Sequence, residues 1–175
     1  MLVTKEQLQA VYREAPASRI LKYIAPLNSA LEKYQINTPL RCSMFLAQIG
    51  HESGQLLYTE ELASGAAYEG RRDLGNYHTG DGVKYKGRGL IQITGRKNYA
   101  LCSLYLDLPL LENPELLAQL PHSVDSACWF WNNENLNSLA DLSLFKECTR
   151  RINGGLNGFD DRLKLYKRAL EVFNG

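Results

Sequence analysis

Apolar residues recur at helical spacing through the first and last thirds of the chain and lose that periodicity in between. Near the start, Thr4 and Gln7 have the spacing of a capping box and Val3 can staple onto Leu8. Leu8, Val11, Tyr12 and Ala15 then hold one stripe as far as Pro16. Ser18 opens a second segment with Ile20, Leu21 and Ile24, and Pro26 is expected to kink or divide it before Leu27, Ala30, Leu31 and Tyr34. Thr38-Pro39 reads as a cap with proline at the first helical position, after which Phe45, Ile49 and Glu52 share a face. Helical signals return beyond Ala100. Asn113-Pro114 starts a short helix, and Val124, Ala127, Cys128 and Trp131 follow a Ser123 cap. Phe145, Cys148 and Ile152 are stopped by Gly154-Gly155, and Phe159, Leu163, Tyr166, Leu170 and Phe173 form a last helix started by Asp160 or Asp161.

The middle is different. Residues 54–89 hold eight of the 14 glycines and several tyrosines, which predicts ordered loop or a short β-hairpin. So long a loop inside a domain is uncommon unless it builds a site. With 175 residues and no composition break, the expectation is one domain, 1–175, a helical scaffold with a site segment at about 54–95 and no separate second module. A formal net charge of +1 excludes recognition of a charged polymer through the field of the whole protein, and no nucleic-acid partner is expected. Cys42, Cys102, Cys128 and Cys148 are widely spaced within apolar patterns and read as core thiols. The polar N-terminus lacks the basic-then-apolar run of a secretory signal, and no apolar run approaches a membrane span, so neither export nor membrane insertion is expected.

Two carboxylates flank the Gly54 stop. Glu52 lies on the apolar stripe of its helix, where burial would favour the protonated form that a general acid needs; the bland alternative is a buried ion pair with an arginine such as Arg88. Glu60 and Glu61 follow in the returning loop, either as a solvated face or as the source of a second, ionised carboxylate. From Tyr85 to Gly95, two glycines surround Arg88 and an alternating run follows, Gln92 and Thr94 on one side, Ile91 and Ile93 on the other. Thr94 could orient a water, and Gln92 with Asn98 offers amides suited to sugar hydroxyl and acetamido groups; the plainer reading is an edge hairpin. Metal chemistry is not expected: no second histidine follows His51-Glu52 at metalloprotease spacing, and His78 and His122 lie far off. His51 is expected to support the acid by a hydrogen bond or simply to pack. The glycines from Gly82 to Gly89 lack the Lys-Ser/Thr of a phosphate loop, and no cofactor is expected. Lys84, Lys86, Arg88, Arg96 and Lys97 read as a solvated basic rim.

His51-Glu52-Ser53-Gly54, then Gly87-Arg88-Gly89-Leu90-Ile91-Gln92-Ile93-Thr94 and Asn98-Tyr99, resemble glycoside hydrolase family 19, shared by chitinases and a group of phage endolysins. Ser126-Ala127-Cys128-Trp129-Phe130-Trp131 is similar to the family's aromatic helix, Arg151-Ile152-Asn153-Gly154-Gly155 to its Asn-Gly-Gly turn, and Asp161-Arg162 with Tyr166-Lys167-Arg168 to its C-terminal helix. The resemblance implies a mainly α, lysozyme-like α+β single domain with a small β-hairpin or loop segment lining a deep cleft. It also implies inverting hydrolysis of a β-1,4 bond beside an N-acetylated sugar. Glu52 then matches the general acid, Thr94 the water-positioning hydroxyl, and Gln92, Asn98, Asn153 and Arg162 positions that hold substrate or order the carboxylates. Glu61 matches the base of the small endolysin members, with Glu60 its competitor; plant chitinases have a longer interval there. His51, Glu60, Tyr85 and Tyr99 complete the expected substrate-binding set. The two carboxyls should lie about 6.5–9.5 Å apart to admit a water.

The endolysin resemblance implies a monomer acting on the peptidoglycan glycan strand, made in the host cytoplasm and released to the periplasm through a membrane pore. A chitinase acting on N-acetylglucosamine polymers, an effector delivered into competing bacteria and an inactive glycan-binding module are the alternatives.

Overall fold

The capping box expected at the N-terminus opens the first helix: Thr4 Oγ accepts from the Gln7 backbone N–H at 3.1 Å and Gln7 Oε1 from that of Thr4 at 3.0 Å. Beyond it the computed structural model, which describes residues 1–175, contains nine α-helices and no strand. They are α1 (Lys5–Val11), α2 (Ala17–Lys33), α3 (Pro39–Glu52), α4 (Asp81–Lys84), α5 (Arg96–Leu106), α6 (His122–Asn133), α7 (Leu136–Asp141), α8 (Phe145–Asn153) and α9 (Phe159–Asn174). No helix is long and apolar enough to cross a membrane. The chain divides into two compact units, residues 1–57 with 130–175, and residues 58–129.

In the first unit α3 is the central element, buried at every position from Cys42 to Gly50 and packed on α9. Its start is the expected Thr38 cap followed by Pro39. Phe45 meets Trp131 edge to face at 5.3 Å, Phe145 stacks on Tyr166 at 4.4 Å, and the Tyr12 hydroxyl donates to the Leu46 carbonyl at 2.6 Å. Pro26 does not divide α2. The carbonyl that loses its partner belongs to exposed Lys22, where water can satisfy it, while Tyr23, Leu27, Ala30 and Leu31 hold the helix against its neighbours. Neither Asp160 nor Asp161 caps α9; that place belongs to Gly158 at φ 70°.

The second unit is organised by buried polar groups. Asp81, 2% exposed, takes two bonds from Arg96 at 2.8 and 2.9 Å and one from the His78 N–H at 3.0 Å. Asn76 joins the Tyr68 carbonyl to the Arg96 N–H, and Glu69 accepts from the Gly80 and Gly82 N–H groups. The hairpin expected near 85–95 is reduced to two isolated antiparallel bridges, Glu60 with Arg88 and Arg88 with Ile93. Residues 89–92 form a turn instead, with Gln92 at φ 61°. Ile91 and Ile93 are nonetheless buried while Gln92 and Thr94 are partly exposed, so the division into faces survives without the strand. Asn113-Pro114 leads into a 3-10 turn, Pro114–Ala118. Ser123 lies inside α6 rather than capping it. All four cysteines are buried and none is in a disulfide.

Candidate active site

Glu52 is the last residue of α3, and its surroundings are not the bare apolar pocket expected from its stripe. Its side chain keeps 19% of its exposure and its Oε1 accepts from Arg162 Nη2 at 2.5 Å. The partner is thus Arg162 of α9, not Arg88. Arg162 is 1% exposed and engaged on three sides: Nη1 donates to Gln48 Oε1 at 2.7 Å and Nε to the Asn157 carbonyl at 3.0 Å. A buried guanidinium so held orders the carboxylate it meets and is closed to substrate. After Glu52 the chain reverses through Gly54, Gln55 and Leu56, all at positive φ, with Ser53 Oγ accepting from the Leu56 N–H.

His51 does not support Glu52. Its Nδ1 meets Asp161 Oδ2 at 2.8 Å, tying the end of α3 to the first turn of α9. The ring lies against Gly158, where a side chain would strike it, so glycine is required for this approach. Asn153 ends α8, and its Oδ1 accepts from the Asn157 N–H at 3.2 Å, shaping the loop that carries the Asn157 carbonyl to Arg162.

In the second unit Glu61 is held on both oxygens. Oε1 accepts from the Gly87 N–H at 3.0 Å and Oε2 from the Tyr68 hydroxyl at 2.9 Å, while the Glu61 N–H donates to the Gly87 carbonyl. The Tyr68 hydroxyl is made less acidic, first by burial and then by its bond to Glu61. On its other side Gly87 faces Gln92 and Thr94: a Cβ there would come within 2.7 Å of Gln92 Oε1 and 3.3 Å of Thr94 Oγ1. Glycine at 87 thus gives Gln92 and Thr94 room against the same residue whose N–H holds Glu61. The Thr94 hydroxyl donates to the Gln92 carbonyl at 3.0 Å, which leaves its lone pairs open, and Asn98 Nδ2 reaches back to the Thr94 carbonyl at 2.8 Å. Glu60 points elsewhere, to Lys86 Nζ at 2.9 Å and Arg88 Nη2 at 3.7 Å.

Two expected substrate contacts are ruled out by burial. Tyr85 and Tyr99 are 0% exposed; the Tyr85 hydroxyl donates to the Leu111 carbonyl, and that of Tyr99 donates to the Lys86 carbonyl and accepts from Arg88. Nor do the cations of 84–97 form one solvated rim, since Arg88 is buried, Arg96 is committed to Asp81, and Lys86 to Glu60. No group of three or more His, Cys, Asp or Glu side chains is arranged to hold a metal. Sequence reasoning missed Tyr68 and Gln48, and took Asp161 as a helix start and part of the C-terminal motif rather than as the partner of His51. Gln48 had a signal, an amide in an otherwise apolar run four residues before Glu52; Tyr68, in a 3-10 turn, had none.

The family model for glycosyl hydrolase family 19, chitinase class I, matches residues 41–143, from the first turn of α3 through the whole second unit. The chain belongs to glycosyl hydrolase family 19. It is 36% identical over 177 residues to a glycosyl hydrolase family 19 domain-containing protein of Haemophilus influenzae, covering 83% of this chain and 86% of that one. An endochitinase of Arabidopsis thaliana is 41% identical over 111 residues, which are 63% of this chain but 38% of the plant protein. Chitinase C from Streptomyces griseus superposes with a TM-score of 0.79 at 25% identity, over 98% of this chain and 76% of that chain. As a family 19 member the chain is a chitinase-like glycoside hydrolase, and its mainly helical fold is the fold of that family.

Proposed function

We propose that this family 19 protein hydrolyses β-1,4 bonds of the bacterial peptidoglycan glycan strand with inversion, Glu52 acting as general acid and Glu61 as general base. The observation that carries the reading is the convergence at Gly87. Glu61 is oriented by two donors, each of its oxygens keeps a lone pair for a water proton, and the Thr94 hydroxyl and Gln92 amide border the same glycine whose N–H holds it. Commitment of Glu60 to Lys86 and Arg88 supports Glu61 as the base. In the reaction Glu52 passes its proton to the glycosidic oxygen, Glu61 takes one from a water held by Thr94, and attack opposite the leaving group inverts the anomeric carbon. Asn98 and Gln92 contact the sugar, and Arg162 restrains Glu52. The nine-residue interval from Glu52 to Glu61 supports the endolysin-type reading, a monomer that acts on the wall in the periplasm during host lysis.

Glu52→Gln and Glu61→Gln are each expected to lower turnover by about 100-fold or more with the fold retained. Near-normal reducing-end release by either variant would sink its assignment. Proton NMR of the first product should show the α-anomer from a β-linked substrate; a β-anomer means retention and removes Glu61 as base. A second reading, chitin as substrate, is favoured by the names of the Arabidopsis and Streptomyces relatives. Purified peptidoglycan and chitin oligomers assayed side by side decide between them, and binding without any cleavage would replace both by a glycan-binding role.

A further inference from the structure

Behind Glu52 lies a buried chain of hydrogen bonds whose polarity is fixed from both ends. The Thr149 hydroxyl in α8 donates its single hydrogen to the Phe145 carbonyl at 3.0 Å, so toward Gln48 it can only accept. Gln48 Nε2 donates to it at 2.9 Å. Arg162, which can only donate, demands the same orientation from the other end, and the amide oxygen receives its Nη1 at 2.7 Å. Nη2 of the same guanidinium holds Glu52. Gln48 and Thr149 are both 0% exposed, and Gln48 precedes Glu52 by one helical turn on the same face of α3.

We propose that Gln48 and Thr149 are positioning residues, which lock the Arg162 guanidinium in the orientation that presents Nη2 to Glu52. The inference rests on the assignment of Glu52 as general acid. An amide at position 48 also matters by its charge. It gives Arg162 a strong acceptor that is not a competing anion, so Nη2 is left to Glu52. The other charged groups at this corner are otherwise occupied: His51 and Asp161 face each other, Arg151 donates to the Glu134 carbonyl, and burial pushes the Cys148 thiol up to about 12, so it stays neutral.

Gln48→Glu places an anion on Arg162 and weakens its hold on the ionised form of Glu52. The alkaline limb of the kcat/KM profile, where the acid loses its proton, is expected to move up by about one pH unit. A role in packing alone would change stability and leave the limb in place, and an unmoved limb with normal kcat overturns the proposal. Thr149→Val keeps the shape but removes the acceptor that orients Gln48; kcat is expected to fall about tenfold with KM nearly unchanged, and Thr149→Ser to restore it. Thermal melts accompany each variant, and equal kcat for Thr149→Val and the unaltered protein, or no rescue by serine, also overturns the proposal. Glu52→Gln measured alongside separates the two levels. If it retains turnover, the acid assignment falls and this inference with it. If it is inert while the Gln48 and Thr149 variants behave normally, the acid assignment stands and only the positioning role is lost.

Discussion

Both units bury apolar side chains and polar networks, but they are anchored differently. In the first, α3 buries mostly apolar side chains and stacked rings such as Phe145 on Tyr166 fill the space between helices, with one polar network, Gln48, Thr149 and Arg162, behind Glu52. In the second, the buried anchors are ionic and amide groups: Asp81 with Arg96, Asn76 between two backbone segments, and Arg88 against Tyr99. Each unit presents its proposed catalytic carboxylate by its own means. Glu52 is steadied by a guanidinium reaching it from another helix, whereas Glu61 is steadied by a backbone N–H and a phenol on loops. Apolar packing tolerates exchange of one hydrocarbon for another of similar volume, while a buried polar network fails when one member is lost.

The contrast can be broken most severely in the first unit. Phe45→Ala removes a fully buried ring and its contact with Trp131, and should cost about 4 kcal/mol by denaturant titration, with Phe45→Leu recovering most of it. Asp81→Ala leaves Arg96 without its partner. A loss of about 3 kcal/mol is expected, seen in hydrogen exchange as opening of residues 58–129 with protection in α3 and α9 retained. If α3 and α9 open equally, the second unit does not have a stability of its own.

Acid should act mainly on the second unit. The Asp81 carboxyl lies below its ordinary value of 3.8, chiefly through its hydrogen bonds from Arg96, and Glu69 is also lowered, chiefly by the Gly80 and Gly82 N–H groups. A depressed carboxyl contributes stability that is complete above the unfolded value and disappears as pH falls through the folded one. Exchange protection in 58–129 should therefore decline below about pH 4, and the decline should shrink in Asp81→Ala, leaving the part that Glu69 contributes. The first unit has one comparable group, Asp141, lowered by Arg41. Smallest of all, Thr4→Ala removes the α1 cap and should cost about 1 kcal/mol by thermal melting, with no change in the second unit.

Helix ends with a local chemical cause were readable along the chain: the Thr4 box, Thr38-Pro39, and the stop of α8 at Gly154. So were the four core thiols and the inward and outward sides of residues 91–94. Where neighbours distant in sequence decide, spacing misled. Pro26 suggested a break that packing overrides, and Ile91 to Thr94 suggested a strand where Gly89 and Gln92 make a turn. Tyr85 and Tyr99 looked available to a sugar but are consumed by the interior.

Residue type and local spacing were therefore enough to specify the helical character of residues 1–57 and 130–175 and to mark Glu52, the Glu60-Glu61 pair and Thr94 as chemically interesting, because those signals act over one or two turns of chain; the choice of Glu61 over Glu60 came from the family resemblance. They could not specify partners. Arg162 is 110 positions from Glu52, Asp161 as far from His51, and Gly87 26 from Glu61. A hydrogen bond acts over about 3 Å, and only the folded backbone brings such groups within that range.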